Sequence, residues 1–243
     1  MTYCVGLRLD KGLVFMADTR TNSGIDNISQ FKKLFTWSKP GERVITMITG
    51  GNLATTQTVV SLIDERAKAP EDRHPSILDA PSMFDVARQV GEVLRDVIMT
   101  SSPAGERADS TFDATIILGG QIKGGGTRLF LIYPEGNFLE ASEDTPFFQI
   151  GETKYGRPII LRAFEQSMTY EQAVKLLTVS FDSTLKANLS VGLPLDLLIY
   201  EKDSFKIGHE RRILAEDPYY LAISQGWGDA LKSAFKALPD FHF

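Results

Sequence analysis

Short apolar runs, each broken by turn residues, occupy the first fifty positions of the chain. The runs are residues 3–9, 12–17, 34–37 and 43–49. Asp10-Lys11 separates the first two runs, and the turn dipeptide Pro40-Gly41 lies between the last two. Apolar runs of this length joined by such turns are typical of β-hairpins. The pattern therefore predicts two consecutive hairpins.

Later in the chain, apolar residues recur at helical spacing in four segments. These segments are residues 53–67, 82–99, 153–165 and 170–186, and Ser82 is predicted to cap the second. Short strands punctuated by glycine lie between the second and third segments, and a final hairpin follows the fourth. Because strands and helices do not alternate one by one, this order disfavours a Rossmann fold or a barrel. It predicts an α+β fold in which helix pairs flank two antiparallel sheets.

Composition narrows the function classes. The chain has 243 residues and a formal charge of −5, and its lysines and arginines are scattered, which argues against a nucleic-acid or anionic-membrane surface. Its length favours one domain over residues 1–243. No stretch is apolar for long enough to span a bilayer. The single cysteine, Cys4, excludes an intrachain disulfide and a CxxC motif, so a cytoplasmic location is expected.

Most catalytic motifs are missing. None of the three histidines lies in an HExxH motif, and the chain has no GxSxG motif. The glycine cluster GGQIKGGGTR fits neither a P-loop nor a dinucleotide fingerprint, and strand turns explain it better. We therefore expect no metal and no cofactor.

What remains is the beginning of the chain, where the apolar run starts at Tyr3, directly after Met1 and Thr2. If Met1 is removed, Thr2 carries both a nucleophilic hydroxyl and a free α-amine. The ordinary pKa of such an amine, about 7.7–8.0, suits a general base at neutral pH. The abrupt start then has a proposed reason, since a leader would occupy the place of the amine.

Three further features converge on Thr2. Asp18 ends the second strand of the first hairpin, so an antiparallel pairing returns it to the beginning of the first strand. Lys32 and Lys33 precede the third strand, where an ammonium would lower the pKa of the amine and stabilise negative charge on the threonine oxygen. Gly50-Gly51 precedes a helix and offers N–H groups to an oxyanion.

Together these residues resemble a β-type subunit of the proteasome, a family of N-terminal nucleophile hydrolases. TYCVGLRLDKGLVFMADTR is similar to the family's first hairpin, KKL to its lysine segment and ITGGNLATTQ to its glycine turn and first helix. ATIILGGQIKGGGTRLFLIYPEG, followed by IGETKYG, resembles the central strands. The resemblance covers residues 2–208, leaves 209–243 as a C-terminal extension, and is strongest to the bacterial Anbu (ancestral β-subunit) subgroup. It implies a four-layer αββα sandwich.

The resemblance also implies the site and the activity, a threonine-type endopeptidase that acts on peptides or proteins. The implied catalytic residues are Thr2, Asp18, Lys33, Gly50 and Ser190. Lys33 is preferred over Lys32 because the family's lysine directly precedes an apolar strand residue. Two positions depart from the family pattern: Glu152 replaces a serine, and Ala187 replaces an aspartate three residues before Ser190.

The resemblance also implies that Thr21, Ile48 and Asn52 surround the pocket for the substrate side chain that precedes the cleaved bond. Relatives form rings, described as open and helical in Anbu. Phe235, Phe241 and Phe243 in the extension suit a contact between subunits, and packing of the tail on its own domain explains them equally well. Two other functions stay open. One is an amidase acting on a small or conjugated amide, and the other is a scaffold subunit with little or no turnover. The sequence does not identify the substrate, any unfolding or delivery partner, or the number of subunits.

Overall fold

The computed structural model describes residues 2–22, 28–68, 75–101 and 112–243, so Met1 lies outside the described residues. The strands are β1 (Tyr3–Leu9), β2 (Gly12–Asp18), β3 (Arg20–Asn22), β4 (Ile28–Gln30), β5 (Leu34–Lys39), β6 (Arg43–Gly51), β7 (Ala114–Ile122), β8 (Arg128–Ile132), β9 (Phe138–Glu140), β10 (Phe147–Gly151), β11 (Leu195–Glu201) and β12 (His209–Ile213). The helices are α1 (Leu53–Lys68), α2 (Met83–Ser101), α3 (Thr153–Ala163), α4 (Tyr170–Ala187) and α5 (Pro218–Lys236).

Two antiparallel sheets form the centre of the domain. One has the strand order β10-β1-β2-β11-β12 and the other the order β5-β6-β7-β8-β9. An apolar core that includes Phe15, Ile48 and Ile117 fills the space between them, and Cys4 is fully buried within it. The predicted hairpins are confirmed as the pairs β1 with β2 and β5 with β6.

Each sheet is covered on its outer face by a pair of helices. Apolar residues of α1 and α2 pack against one sheet, and those of α3 and α4 against the other. The predicted four-layer αββα sandwich is therefore confirmed. Every residue of β2 is buried, because this central strand contacts a helix layer on one face and the second sheet on the other. Burial on both faces explains why its sequence is continuously apolar rather than alternating.

Local signals set several of the element ends. Ser82 caps α2 as predicted, since its hydroxyl accepts the Asp85 N–H at 3.2 Å. Thr169 and Gln172 form a capping box at the beginning of α4. None of the helices in the described ranges is both long and apolar enough to cross a membrane.

The final predicted hairpin is confirmed as the pair β11 with β12, and one element that the sequence pattern did not predict, α5, follows it. β12 pairs with β11 from Leu195 to Ile199, so this sheet extends beyond residue 208. α5 follows, beginning at Asp217, whose carboxylate accepts the Tyr219 N–H at 2.9 Å. Tyr220 is the only residue of α5 that is buried. The helix is therefore added to the outside of the sandwich.

Candidate active site

Thr2 lies at the head of β1 and is almost fully buried. Its carbonyl oxygen accepts the N–H of Glu152 at 2.7 Å, just where β10 ends and α3 begins. Gly151 has a φ of +84°, and a Cβ at this position would lie 1.7 Å from the Thr2 carbonyl oxygen. Only glycine permits this approach. The backbone of Thr2 is thus fixed by β10 on one side.

Asp18 and Lys33 form a buried ion pair beside Thr2. The Lys33 Nζ lies 2.7 Å from Asp18 Oδ1, and the exposed fractions of the two side chains are 6% and 0%. Asp18 Oδ1 also accepts the Tyr3 N–H at 3.0 Å, which ties the carboxylate to the residue next to Thr2. The antiparallel return of β2 to the head of β1 therefore brings Asp18 to the position expected from the sequence.

Two further contacts hold this pair in place. Lys33 Nζ donates a second hydrogen bond to the Arg20 carbonyl oxygen at 2.7 Å. Burial raises the pKa of the Asp18 carboxyl above its ordinary value, while the Lys33 ammonium and the N–H groups of Tyr3 and Gly192 oppose that rise. Two donors, the Lys33 ammonium and the Tyr3 N–H, hold the carboxylate through Oδ1, while Oδ2 has no hydrogen-bond partner among the described residues.

Arg20 is a site residue to which the sequence analysis assigned no role. Its guanidinium donates to the Leu189 carbonyl oxygen at 2.7 Å and packs against Gly192, where a Cβ would lie 2.1 Å from the Arg20 Nε. Since the Gly192 N–H faces Asp18, Arg20 holds the loop that completes the surroundings of the carboxylate. Its position two residues after Asp18, within the motif that resembles the family hairpin, was the available signal.

Gly50 and Gly51 end β6 directly beside Thr2. A Cβ on Gly50 would lie 3.4 Å from the Thr2 Cγ2 and 3.1 Å from Ile150. The backbone then passes through Asn52 into α1, and the Asn52 Oδ1 accepts the Thr55 N–H at 3.0 Å as a helix cap. The N-terminus of α1, where the helix dipole is positive, therefore points at the site.

A cavity of about 500 Å³ opens at these residues. Thr2, Lys33 and Gly50 line it, as do two of the predicted pocket residues, Thr21 and Asn52. Phe35 and Lys32, which were not predicted to line a pocket, also face it.

Two predicted residues lie outside this cavity. Ile48 is fully buried in the core between the sheets, because strand alternation turns its side chain towards Leu34 and Ile150. Its prediction as a pocket residue is therefore wrong for this structure. Ser190 lies in the loop after α4, and its hydroxyl donates to the side chain of Asn188. It is not among the residues that line the cavity.

A larger cavity, of about 800 Å³, lies between the beginning of α4, the β11–β12 hairpin and the beginning of α5. Tyr170, Leu197, Ile207 and Tyr219 contribute to its mainly apolar walls. None of the residues Thr2, Asp18 or Lys33 lines it. The smaller cavity is the candidate active site because it alone joins a nucleophile to an ion pair and a helix N-terminus.

Comparison with known proteins identifies the family of this chain. The family described as "Proteasome subunit" matches residues 2–192. A proteasome subunit beta from Methanopyrus kandleri is 26% identical over 195 residues, which are 79% of this chain and 82% of that protein.

Solved structures give the fold match over nearly the whole chain. Anbu (ancestral beta-subunit) from Yersinia bercovieri is 47% identical with a TM-score of 0.92, over 99% of this chain and 100% of that one. Anbu from Hyphomicrobium sp. strain MC1 is 50% identical with a TM-score of 0.91, over 99% of this chain and 100% of that one. The helical assembly of the Anbu complex from Pseudomonas aeruginosa is 43% identical with a TM-score of 0.92, over 99% of this chain and 98% of that one. The chain thus belongs to the proteasome subunit family, and within that family it most resembles Anbu.

Proposed function

We propose that this protein is a threonine-type amide hydrolase that cleaves peptide bonds with Thr2 as its nucleophile after Met1 has been removed. The observation that carries the proposal is the buried Asp18–Lys33 ion pair beside Thr2, with a Nζ to Oδ1 distance of 2.7 Å, at the wall of a cavity large enough for a substrate side chain. A buried ion pair is costly to maintain, so its position beside a nucleophile favours a catalytic use.

The reaction follows from the groups at the site. The α-amine of Thr2 takes the hydroxyl proton while Oγ bonds to the substrate carbonyl carbon, and the electron pair of the carbonyl moves to its oxygen. The Gly50 N–H and the positive end of α1 stabilise that oxyanion. The carbon–nitrogen bond then breaks, and the ammonium returns its proton to the leaving amine. Water hydrolyses the resulting ester by the same route and restores Thr2.

Lys33 acts on the nucleophile through its charge. Its ammonium stabilises negative charge on the Thr2 oxygen and disfavours a proton on the nearby amine. Asp18 and the Arg20 carbonyl oxygen use two of its three N–H donors, which fixes the side chain with the third donor available. Such preorganisation costs no rearrangement during the reaction.

Slower turnover, or a small or conjugated amide as substrate, is the second candidate. The observation that favours it is the pair of departures from the family pattern, at Glu152 and Ala187. Glu152 touches Thr2 through a backbone N–H, and Ala187 is exposed at the end of α4 and has no polar side chain.

Mass spectrometry of the intact protein tests the proposal. We expect the purified protein to have lost Met1 and to form a covalent adduct at Thr2 with a peptide epoxyketone. This reagent bonds to both the hydroxyl and the amine of one N-terminal residue, so it reports the free amino alcohol that the mechanism needs. Thr2→Ser is the matched control and should still react. Retention of Met1 in most of the protein, or an adduct elsewhere, would contradict the proposal.

We also propose that copies of this chain assemble with α5 at the interface. α5 and the residues after it expose large apolar side chains, including Phe235 at 76%, Phe241 at 79% and Leu238 at 65%. A helix with one buried residue gains little stability from its own domain. Similarity to a structure described as a helical assembly supports a second copy as the partner. This interface is also what the scaffold alternative requires.

Replacing two of these residues together, as in Phe235→Ser with Phe241→Ser, should shift the protein to smaller assemblies. Burial of a Phe side chain is worth about 1.5–3 kcal/mol, so losing two weakens each contact by roughly 10²-fold or more. Sedimentation velocity over a concentration series measures the shift. Leu161→Ser is the control, because Leu161 is 59% exposed on α3. An unchanged distribution of assemblies in the double variant would argue against α5 as the interface.

A further inference from the structure

The cavity beside Thr2 contains a lysine that the proposed mechanism does not use. Lys32 and Lys33 are consecutive residues in the segment that leads into β5, and their side chains differ in environment. Lys33 is buried against Asp18, whereas Lys32 is exposed and lines the cavity. The Lys32 Nζ lies 5.8 Å from the centre of the Phe35 ring, which lines the same cavity. A group that enters the cavity therefore contacts both the Lys32 ammonium and the Phe35 ring.

The charge of this cavity is unbalanced. None of the described residues that line it is acidic. The charge of Lys33 is neutralised by Asp18, while Lys32 has no ion pair within the described part of the chain. The first turn of α1 adds the positive end of a helix dipole to the same space, since Leu53, Ala54 and Thr56 line it. The cavity is thus favourable for an anion.

Acidic groups face Lys32 from a second cavity. A separate cavity of about 220 Å³ is lined by Lys32 together with Asp196, Glu210, Arg211 and Arg212. Asp196 accepts two hydrogen bonds from Arg212, at 2.7 and 2.9 Å. Arg212 neutralises Asp196, and Arg211 pairs with Asp217 at 2.6 Å. Glu210 is thus left without an ion pair among the described residues on this side of Lys32, whereas on the Thr2 side Lys32 meets no acidic residue of the described lining.

From this arrangement we infer that the preferred substrate is an amide whose acyl part carries a carboxylate, bound by Lys32. The inference rests on the proposed function and adds the class of substrate to it. A carboxylate in this cavity gains a charge-assisted hydrogen bond from Lys32 and meets no acidic side chain among the described lining residues. The methylene groups between that carboxylate and the scissile carbonyl would pack on the ring of Phe35. A cationic side chain would instead be repelled by the Lys32 ammonium.

The carboxylate has two chemical sources. It can belong to an acidic side chain within a peptide, or it can be the free carboxylate of a small amide. Both would use Lys32 in the same way, so the preference for negative charge is the shared property. Competition with the covalent reagent separates the two sources. A short acidic peptide and a free N-acetylated acidic amino acid carry the same side chain, but only the peptide has further residues on both sides of it.

Paired epoxyketones test the preference directly. One reagent carries a glutamate side chain and the other a glutamine side chain next to the reactive ketone, so they differ in charge and not in size. We expect Thr2 of the unmodified protein to react about tenfold faster with the acidic reagent, a value between an exposed ion pair and a buried charged hydrogen bond. The ratio should fall to about one in Lys32→Gln and below one in Lys32→Glu.

Two controls accompany this comparison. Lys123→Gln removes the same charge at an exposed position of the β7–β8 turn, about 25 Å along β7 from the cavity, and should keep the tenfold ratio. Raising the salt concentration towards 1 M should reduce the ratio for the unmodified protein, since the Debye length falls to about 3 Å. A ratio that ignores salt would contradict a charge effect.

Each outcome has one meaning. Equal rates for the two reagents, with an adduct at Thr2, overturn this inference and leave the proposed function in place. A ratio that persists in Lys32→Gln overturns the assignment to Lys32. Absence of any adduct at Thr2 overturns the proposed function and this inference with it. Protection by the free amino acid derivative supports a small amide as the source of the carboxylate, and protection only by the peptide supports a protein substrate.

Discussion

A Thr2→Ala variant is expected to lose all covalent labelling and at least about 10⁴-fold of any amide hydrolysis that the unmodified protein shows. The substitution removes the oxygen that bonds to the substrate and leaves the backbone of Thr2 unchanged. The hydrogen bond from Glu152 to the Thr2 carbonyl oxygen is therefore retained, and the variant should fold normally. Steady-state hydrolysis and intact mass measure the effect, with a thermal unfolding curve as the check on folding. Residual turnover above one part in a hundred would remove Thr2 from the mechanism.

An N-terminal extension separates the two functions assigned to Thr2. Adding two residues before Thr2 converts its amine into an amide while the hydroxyl stays in place. If the amine is the general base, the extended protein should lose about 10²–10⁴-fold in rate, the usual contribution of such a base. If only the hydroxyl matters, the rate should be nearly unchanged.

Lys33→Ala is the second variant with a large expected effect. We expect at least about a 10²-fold loss of rate, because the charge that stabilises the Thr2 oxygen is removed. We also expect a loss of about 3–5 kcal/mol in the free energy of unfolding, since Asp18 would be left as a buried charge without its partner. Both quantities are measurable on one preparation, the rate by the adduct with Thr2 and the stability by urea unfolding.

The chain offers a matched control for this variant. Lys39 forms an ion pair with Asp79 at the same distance of 2.7 Å, but the two side chains are 40% and 41% exposed. Lys39→Ala should cost at most about 1 kcal/mol, as is usual for exposed pairs, and should leave the labelling rate unchanged. Equal costs for Lys33→Ala and Lys39→Ala would mean that burial adds nothing to the Asp18 pair. An unchanged rate in Lys33→Ala would assign it no catalytic part.

Much of the sandwich could be predicted because its sequence signals are local. The hairpins of the first fifty residues follow from apolar runs and turn dipeptides, and the cap at Ser82 from a hydroxyl before an apolar stripe. α5 has Tyr220 as its only buried residue, and it was missed because Gly226 and Gly228 lower its helix propensity. Asp217 followed by Pro218 was a signal for its beginning that periodicity alone does not use.

Only those parts of the site that the pairing of strands determines could be predicted from the sequence. An antiparallel return fixes where Asp18 lies relative to Thr2, and the structure has this arrangement. The pocket was less predictable, because the side-chain period of a strand decides which neighbour faces the cavity. That period places the Ile48 side chain in the core, whereas Lys32 lies in the segment before β5, where no strand period predicts its direction. The contacts of Arg20 with Leu189 and Gly192 join residues far apart in the chain, so the motif that contains Arg20 does not reveal its partners.

The fully buried cysteine between the two sheets gives the protein an internal probe of its own opening. Cys4 is two residues from Thr2, has no exposed surface, and lies 3.8 Å from the Thr49 carbonyl oxygen through its Sγ. Burial also raises the pKa of its thiol, so the folded protein presents no thiolate to a reagent. A thiol reagent can therefore react only when the sheets separate. The rate at which Cys4 reacts would therefore measure how often β1, the strand that follows Thr2, opens locally.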